Sequence, residues 1–265
     1  MEQQEQQKRL KIAVVTGASS GMGAEFARRV CADSQFSFDE IWLIARREER
    51  LLELAKTLPL PARTLTLDLT DSNAYNAYAM ALLMHGVEIS LLVNAAGFGI
   101  FAPSVDVPLN TQLAMIDLNA KALTALTALS IPYMRAGAAI LNICSLSAFQ
   151  PVPYINVYAA TKAYTLSYSR ALNVELRDRG IRVMGICPGW VNTEFFDTAE
   201  KDKNRVVPKK TPLWAAAQVV DRALKDFKRG KDVSVLGFIV RLQVLLVKLL
   251  PHKWIMWLWL KQQGH

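Results

Sequence analysis

The chain has 265 residues, 52% of them hydrophobic and 20% charged, which is enough apolar material for a large core and excludes a disordered chain. Its formal net charge of +8 is spread over Lys8, Arg9 and Lys11, residues 201–210 and the tail; this suits an anionic cofactor, an anionic substrate or a membrane surface, and no nucleic-acid motif accompanies it. Cys31, Cys144 and Cys187 and the histidines at 85, 252 and 265 lack both disulfide parity and metal-ligand spacing, and the start MEQQEQQKRLK is too polar for a signal peptide, so a reduced cytoplasmic chain without a metal site is expected.

Residues 1–10 read as a polar tail. Residues 11–16 (KIAVVT) are a β-branched run, followed by GASSGMG and then by AEFARRVCA with helical spacing: strand, glycine turn, helix. Gly17, Gly21 and Gly23 in that context permit a tight turn and close backbone approach to a pyrophosphate, which a helix N-terminus attracts with free N–H groups and the positive end of its dipole. An ordinary glycine-rich turn is the alternative. Residues 41–45 (IWLIA) read as a second buried strand and residues 48–57 as a helix, with Arg46 and Arg47 between them. A dinucleotide fold that selects NAD carries an acidic residue at this strand end, whereas arginine, a planar and permanently charged fork, accommodates a 2′-phosphate. NADP(H) is therefore expected over NAD(H), the alternative being that RREER merely opens a solvated helix.

A third strand is expected over 63–69, with Asp71 as N-cap of a helix running toward Met84, and a fourth over 90–94. Residues 109–134 carry a long Ala/Leu-rich helical pattern. Strands over 138–144 and 181–187 flank a helix bearing Tyr158 and Lys162, and residues 232–236 give a seventh strand. Short apolar runs alternating with helical patterns imply a doubly wound α/β domain with a seven-stranded parallel sheet over the whole of 1–265. Tyr158 and Lys162 lie one helical turn apart and share a face. An ammonium there favours the phenolate and lowers its pKa, and a hydroxyl such as Ser145 can hold a substrate oxygen beside them. A tyrosine and a lysine on a half-buried helix face are the plainer reading of these residues alone.

Taken together, these segments resemble the short-chain dehydrogenase/reductase family. TGASSGMG (16–23) is similar to its cofactor loop and brings in Ser19, Ser20 and Met22; LDL (67–69) resembles the segment whose acid, here Asp68, contacts adenine, next to Leu69. NAAG (94–97) resembles its NNAG motif through Asn94 and Gly97, with Ala95 replacing the second asparagine. Asn119 resembles the asparagine of the long helix, and Ser145, Tyr158 and Lys162 complete the family's tetrad, Ser145 preceding Tyr158 by 13 residues. PGWVNT (188–193) resembles the segment that closes over nicotinamide and brings in Pro188, Gly189, Val191 and Thr193. The resemblance implies that Tyr158 is the acid in reduction, that Lys162 lowers its pKa and binds the nicotinamide ribose, that Ser145 holds the substrate oxygen and that Asn119 orders a proton-relay water. It also implies a homodimer or homotetramer pairing through the helices of Asn119 and Tyr158.

After this segment, residues 195–212 read as a basic lid loop, followed by a helix from Trp214 to about Phe227. Residues 237–263 are apolar with recurring cations and are broken by Pro251. This tail suits either an interfacial membrane helix, on the inner face of a membrane, or a wall of the substrate pocket. Both readings imply a lipophilic carbonyl or alcohol: steroid-like, retinoid-like or a 3-oxoacyl chain. The expected function is NADP(H)-dependent hydride transfer to or from such a substrate. The alternatives are a cofactor-bound, membrane-peripheral interaction protein and a sugar-nucleotide epimerase or dehydratase.

Overall fold

Seven strands, most of them rich in Val, Ile and Leu, pair in parallel as one sheet in the computed structural model, which describes residues 9–200 and 206–265. The expected tail through residue 8 and the centre of the expected lid, 201–205, lie outside the described residues. The strands are β1 (Lys11–Thr16), β2 (Glu40–Ala45), β3 (Ala62–Thr66), β4 (Glu88–Asn94), β5 (Met134–Ile143) and β6 (Arg182–Ile186). Then β7 (Trp190–Asn192) and β8 (Leu213–Ala215) pair with each other as a separate ribbon, and β9 (Val233–Ser234) closes the edge of the main sheet. The order is β3-β2-β1-β4-β5-β6-β9.

The helices are α1 (Gly21–Ala32), α2 (Glu48–Thr57), α3 (Asn73–His85), α4 (Leu109–Ile116), α5 (Leu123–Ser130), α6 (Asn156–Glu175), α7 (Phe195–Ala199), α8 (Ala216–Lys228), α9 (Phe238–Leu249) and α10 (His252–Gln263). Alternate strand residues serve two cores. Ala13, Val15, Leu43 and Leu141 pack under Phe26 of α1, Leu51 of α2 and Phe227 of α8. Ile12, Val14, Ile44 and Ile140 pack under Tyr78 of α3, Leu126 of α5 and Leu172 of α6. Each such buried Val, Leu, Ile or Phe side chain contributes about 1.5–3 kcal/mol of transfer free energy. Burial on both faces is why the strands read as unbroken apolar runs. The strand order reverses at β1, flanked by β2 on one side and β4 on the other, so a crevice opens at the C-terminal ends there.

Several expected boundaries move. β3 ends at Thr66, because Asp68 turns the chain by accepting from the Thr70 backbone and hydroxyl. Asp71 sits one residue before the N-cap position of α3, which is Ser72, and accepts from the Asn73 backbone instead. The helical pattern of 109–134 ends at Tyr133, and Met134 already begins β5. Trp214 lies in β8, held by pairing with Val191, and α8 starts only after it. The seventh strand shrinks to two residues at the sheet edge. Between α4 and α5, residues Asp117–Ala122 are π-helical, which widens the helix at Asn119; such bulges recur at functional sites.

Candidate active site

The strand ends assemble everything chemical on one edge of the sheet. β1 delivers the loop with Gly17, Ser19, Ser20, Gly21, Met22 and Gly23; β2 delivers Arg46 and Arg47; β4 delivers Ala95 and Gly97; β5 delivers Ser145 and β6 delivers Pro188 and Gly189. Gly17 has φ +66°, and a Cβ on it would lie 2.7 Å from the Ala96 backbone nitrogen, so a side chain there would drive the two loops apart. The Thr16 hydroxyl accepts from the backbone N–H of Ala95 and Ala96 at 3.0 and 3.1 Å, joining the same two loops.

The N-terminus of α1 has no side-chain cap and no acidic residue in its first turn. Ser20, its N-cap residue, instead accepts from Arg47 Nη2 at 2.7 Å, while Ser19 Oγ accepts from Arg47 Nε and Nη2 at 3.1 and 3.0 Å. Free helix N–H groups, a cradle that a Cβ would fill and an arginine laid across the loop together fit an anionic dinucleotide. The guanidinium of Arg47 also donates to Glu194 Oε2 at 2.8 Å, and Arg50 pairs with the same carboxylate. Hydrogen bonds from Arg47 and Arg50 hold Glu194 below the usual carboxylate range. Arg46 stands further out, 3.8 Å from Asp68. Burial raises the Asp68 carboxyl, but bonds from Thr70 and the Arg46 charge outweigh it and leave it lowered.

Two expected cofactor residues turn inward. Asn94 is buried and its Nδ2 donates to Asn142 Oδ1 at 2.8 Å and to Thr127 Oγ1 at 3.0 Å, tying β4 to β5 and α5. Leu69 is a core side chain under α3, so only its backbone is available to a ligand. Val191, 6% exposed, and Thr193 both line the cavity, and a Cβ on Gly21 would lie 3.4 Å from Thr193 Cβ.

The tetrad converges on a cavity of about 300 Å³. Tyr158 and Ser145 line it; Lys162 and Asn119 lie behind, 4% and 0% exposed. Asn119 donates to Phe98 O at 2.8 Å and to Thr161 Oγ1 at 3.1 Å, and its Oδ1 accepts from Phe98 N–H, so its side-chain amide is committed to the loop after Gly97 and to α6. Its backbone oxygen accepts from Thr165. Lys162 Nζ donates to Ile143 O at 2.7 Å and lies 5.6 Å from the centroid of the Tyr158 ring. Burial pushes the Tyr158 phenol up to about 12, opposed by a hydrogen bond with Ser145. Burial also brings Lys162 down to about 8, against the pull of Cys144 and Cys187. The expected lowering of the phenol by Lys162, 5.6 Å from the ring centroid, does not outweigh the loss of phenolate hydration, so the net shift is upward. At neutral pH Tyr158 holds its proton and Lys162 is mostly cationic.

A family model for short chain dehydrogenases matches residues 11–204. Sulfoacetaldehyde reductase 2 of Chromohalobacter salexigens is 37% identical over 190 residues, 69% of this chain and 74% of that one. The very-long-chain 3-oxoacyl-CoA reductase-A of Danio rerio is 31% identical over 230 residues, 83% of this chain and 69% of that one. A solved short-chain dehydrogenase from Sphingobium yanoikuyae in complex with NADPH superposes with a TM-score of 0.76 at 31% identity, covering 89% of this chain and 92% of that one. The chain belongs to the short-chain dehydrogenase/reductase family.

As a member of that family it is an oxidoreductase with a Rossmann-type fold. Several residues that shape this dehydrogenase site carry no motif. A Cβ on Gly99 would lie 2.8 Å from Tyr158 Cδ2 and 3.1 Å from Phe195 Cζ, so the loop can press against the Tyr158 ring only as glycine. Phe101, Trp190, Phe195 and Phe196 form an aromatic cluster lining the cavity, and Trp190 stacks on Trp259 of α10 at 6.3 Å between centroids. Trp259 also donates to Pro153 O at 3.2 Å. The tail therefore walls the cavity with Val240, Val244 and Val247 of α9 and Trp259 of α10. Phe195 and Phe196 of α7 and Thr211–Pro212, the described ends of the expected lid, complete that wall.

Proposed function

We propose that the protein is an NADPH-dependent reductase of a bulky, uncharged, lipophilic ketone or aldehyde. The observation that carries this reading is the cavity itself: Tyr158 and Ser145 open onto a chamber lined by Phe101, Phe149, Val152, Trp190 and Trp259, with no charged side chain among its described lining residues. Such a lining favours apolar groups and leaves a sulfonate or carboxylate without a counter-ion. The substrate thus differs in kind from sulfoacetaldehyde and is closer to an acyl chain or a fused-ring ketone.

Bound NADPH supplies the hydride. Ser145 Oγ, which accepts from the Ser147 backbone N–H at 3.2 Å, holds its proton toward the carbonyl oxygen. Tyr158 donates its proton to that oxygen as negative charge develops. Lys162 stabilises the phenolate left behind, and the buried Asn119 keeps α6 and the Phe98 loop in register around it. Arg47, with Arg46 beside it, receives the 2′-phosphate, and the uncapped start of α1 receives the pyrophosphate. The experiment is turnover across a panel of bulky ketones and aldehydes, followed by nicotinamide absorbance, for the wild type and Tyr158→Phe. General acid catalysis contributes about 10²–10⁴-fold, so the variant should lose at least 100-fold while binding NADPH normally. A wild type that is idle on the whole panel, or a variant as active as the wild type, refutes the reading.

A further inference from the structure

The outer faces of α9 and α10 are left uncovered. On α9, Phe238, Leu242, Leu245 and Leu249 recur at helical spacing on one stripe, with Phe238 76% and Leu249 73% exposed; Ile239 and Leu246 widen it. Val240, Val244 and Val247 occupy the opposite side and face the cavity. On α10, Trp254, Trp257 and Leu258 form the exposed stripe, 60%, 57% and 50% exposed. Its other side is anchored: Gln263 exchanges two hydrogen bonds with the Lys209 backbone, at 3.0 and 3.2 Å, and Trp259 bonds Pro153. The apolar stripes are therefore presented outward by helices that are held in place.

Charge decides what covers them. From Val233 to His265 the chain has no Asp or Glu, while Arg241, Lys248, Lys253 and Lys261 stand among the exposed apolar residues. A second copy docked on this face by two-fold symmetry would set cations against cations. Anionic headgroups are the complement. Trp254 and Trp257 make no indole hydrogen bond among the described residues, which suits rings at headgroup depth. Each helix has 12 residues, about 18 Å, too short to span a hydrocarbon core of about 30 Å. We propose that the outer faces of α9 and α10 seat the enzyme on the surface of an anionic bilayer, lying in the interface rather than crossing it. The cavity wall is the inner side of the same helices, so seating holds the cavity at the lipid surface.

The test is co-sedimentation with phosphatidylglycerol/phosphatidylcholine vesicles and with pure phosphatidylcholine vesicles, paired with tryptophan emission. The full-length protein should bind the anionic vesicles with a blue shift, lose binding at high salt and bind the zwitterionic vesicles much less. Each cation near an anionic surface contributes roughly fivefold, so Arg241→Gln with Lys253→Gln should weaken binding roughly 25-fold. Ile239→Glu with Leu249→Glu should abolish it, and both double variants should retain NADPH binding as evidence of folding. Binding to neither vesicle overturns the proposal, as does binding that neither double variant changes. A wild type that ignores vesicles, but whose higher assembly in light scattering is split by the glutamate variant, overturns it in favour of a second copy.

Discussion

Replacing Arg47 with alanine tests the cofactor side of the proposal without needing a substrate. The Arg47 guanidinium lies across the loop between β1 and α1, bonded to Ser19 and Ser20 and paired with Glu194 at 2.8 Å. The side chains of that pair are 44% and 43% exposed, so it contributes at most about 1 kcal/mol. A 2′-phosphate on the same fork gains a charge-assisted bond of about 1.5–3 kcal/mol. Displacing Glu194 offsets part of that gain, leaving about 1–2 kcal/mol net, or roughly 5- to 30-fold in affinity. Arg47→Ala should weaken NADPH by that factor in a fluorescence titration and change NADH less than about twofold, because NADH has no phosphate at that position. Glu194→Gln removes the competitor and should tighten NADPH by up to about fivefold. Equal losses for both cofactors in Arg47→Ala, or weaker NADPH binding in Glu194→Gln, would refute the assignment of Arg47 as phosphate partner.

Three further outcomes follow from the geometry. Lys162, brought down to about 8 by burial, should make the reductive rate fall as pH rises through that value; moreover, the unfolded lysine keeps its proton to about 10.4, so the unfolded state binds more protons between these values and unfolding free energy should rise across that window, an increase absent in Lys162→Met denaturant titrations. Gly99→Ala sets a methyl 2.8 Å from Tyr158 Cδ2 and should lower turnover by at least about tenfold while leaving the NADPH dissociation constant within about threefold; unchanged turnover would show that the loop does not position the ring. We propose self-association through α4 and α6, where Leu109, Leu113, Ile116 and Tyr164 are exposed; Leu113→Arg with Ile116→Arg should then reduce the mass seen by light scattering, and an unchanged mass would place the contact elsewhere.

Local pattern is enough where a residue's role depends on its chain neighbours. The runs 11–16, 41–45 and 181–187 announce buried parallel strands because both sheet faces are covered, and the glycine turn before α1 announces itself because glycine adopts a positive φ, +66° at Gly17, without the steric cost a Cβ brings. The Tyr158–Lys162 spacing is legible for the same reason, one turn of one helix. What tertiary structure decided concerns groups brought together from distant parts of the chain. Asn94 belongs to a buried Asn142–Ser169 network, which no reading of NAAG contains. Arg47 rather than Arg46 lies on the glycine loop before α1 because Ser19, Ser20 and Glu194, as far as 147 residues away, meet it there. The two consequences of Lys162 separate likewise: spacing puts it near Tyr158, but the depth of burial, which only the packed domain fixes, drives the phenol up and the ammonium down. The tail is apolar on its inner side and on its outer side; composition alone could not divide the two, because only the packed domain distinguishes the face of α9 that meets the cavity from the face that meets solvent.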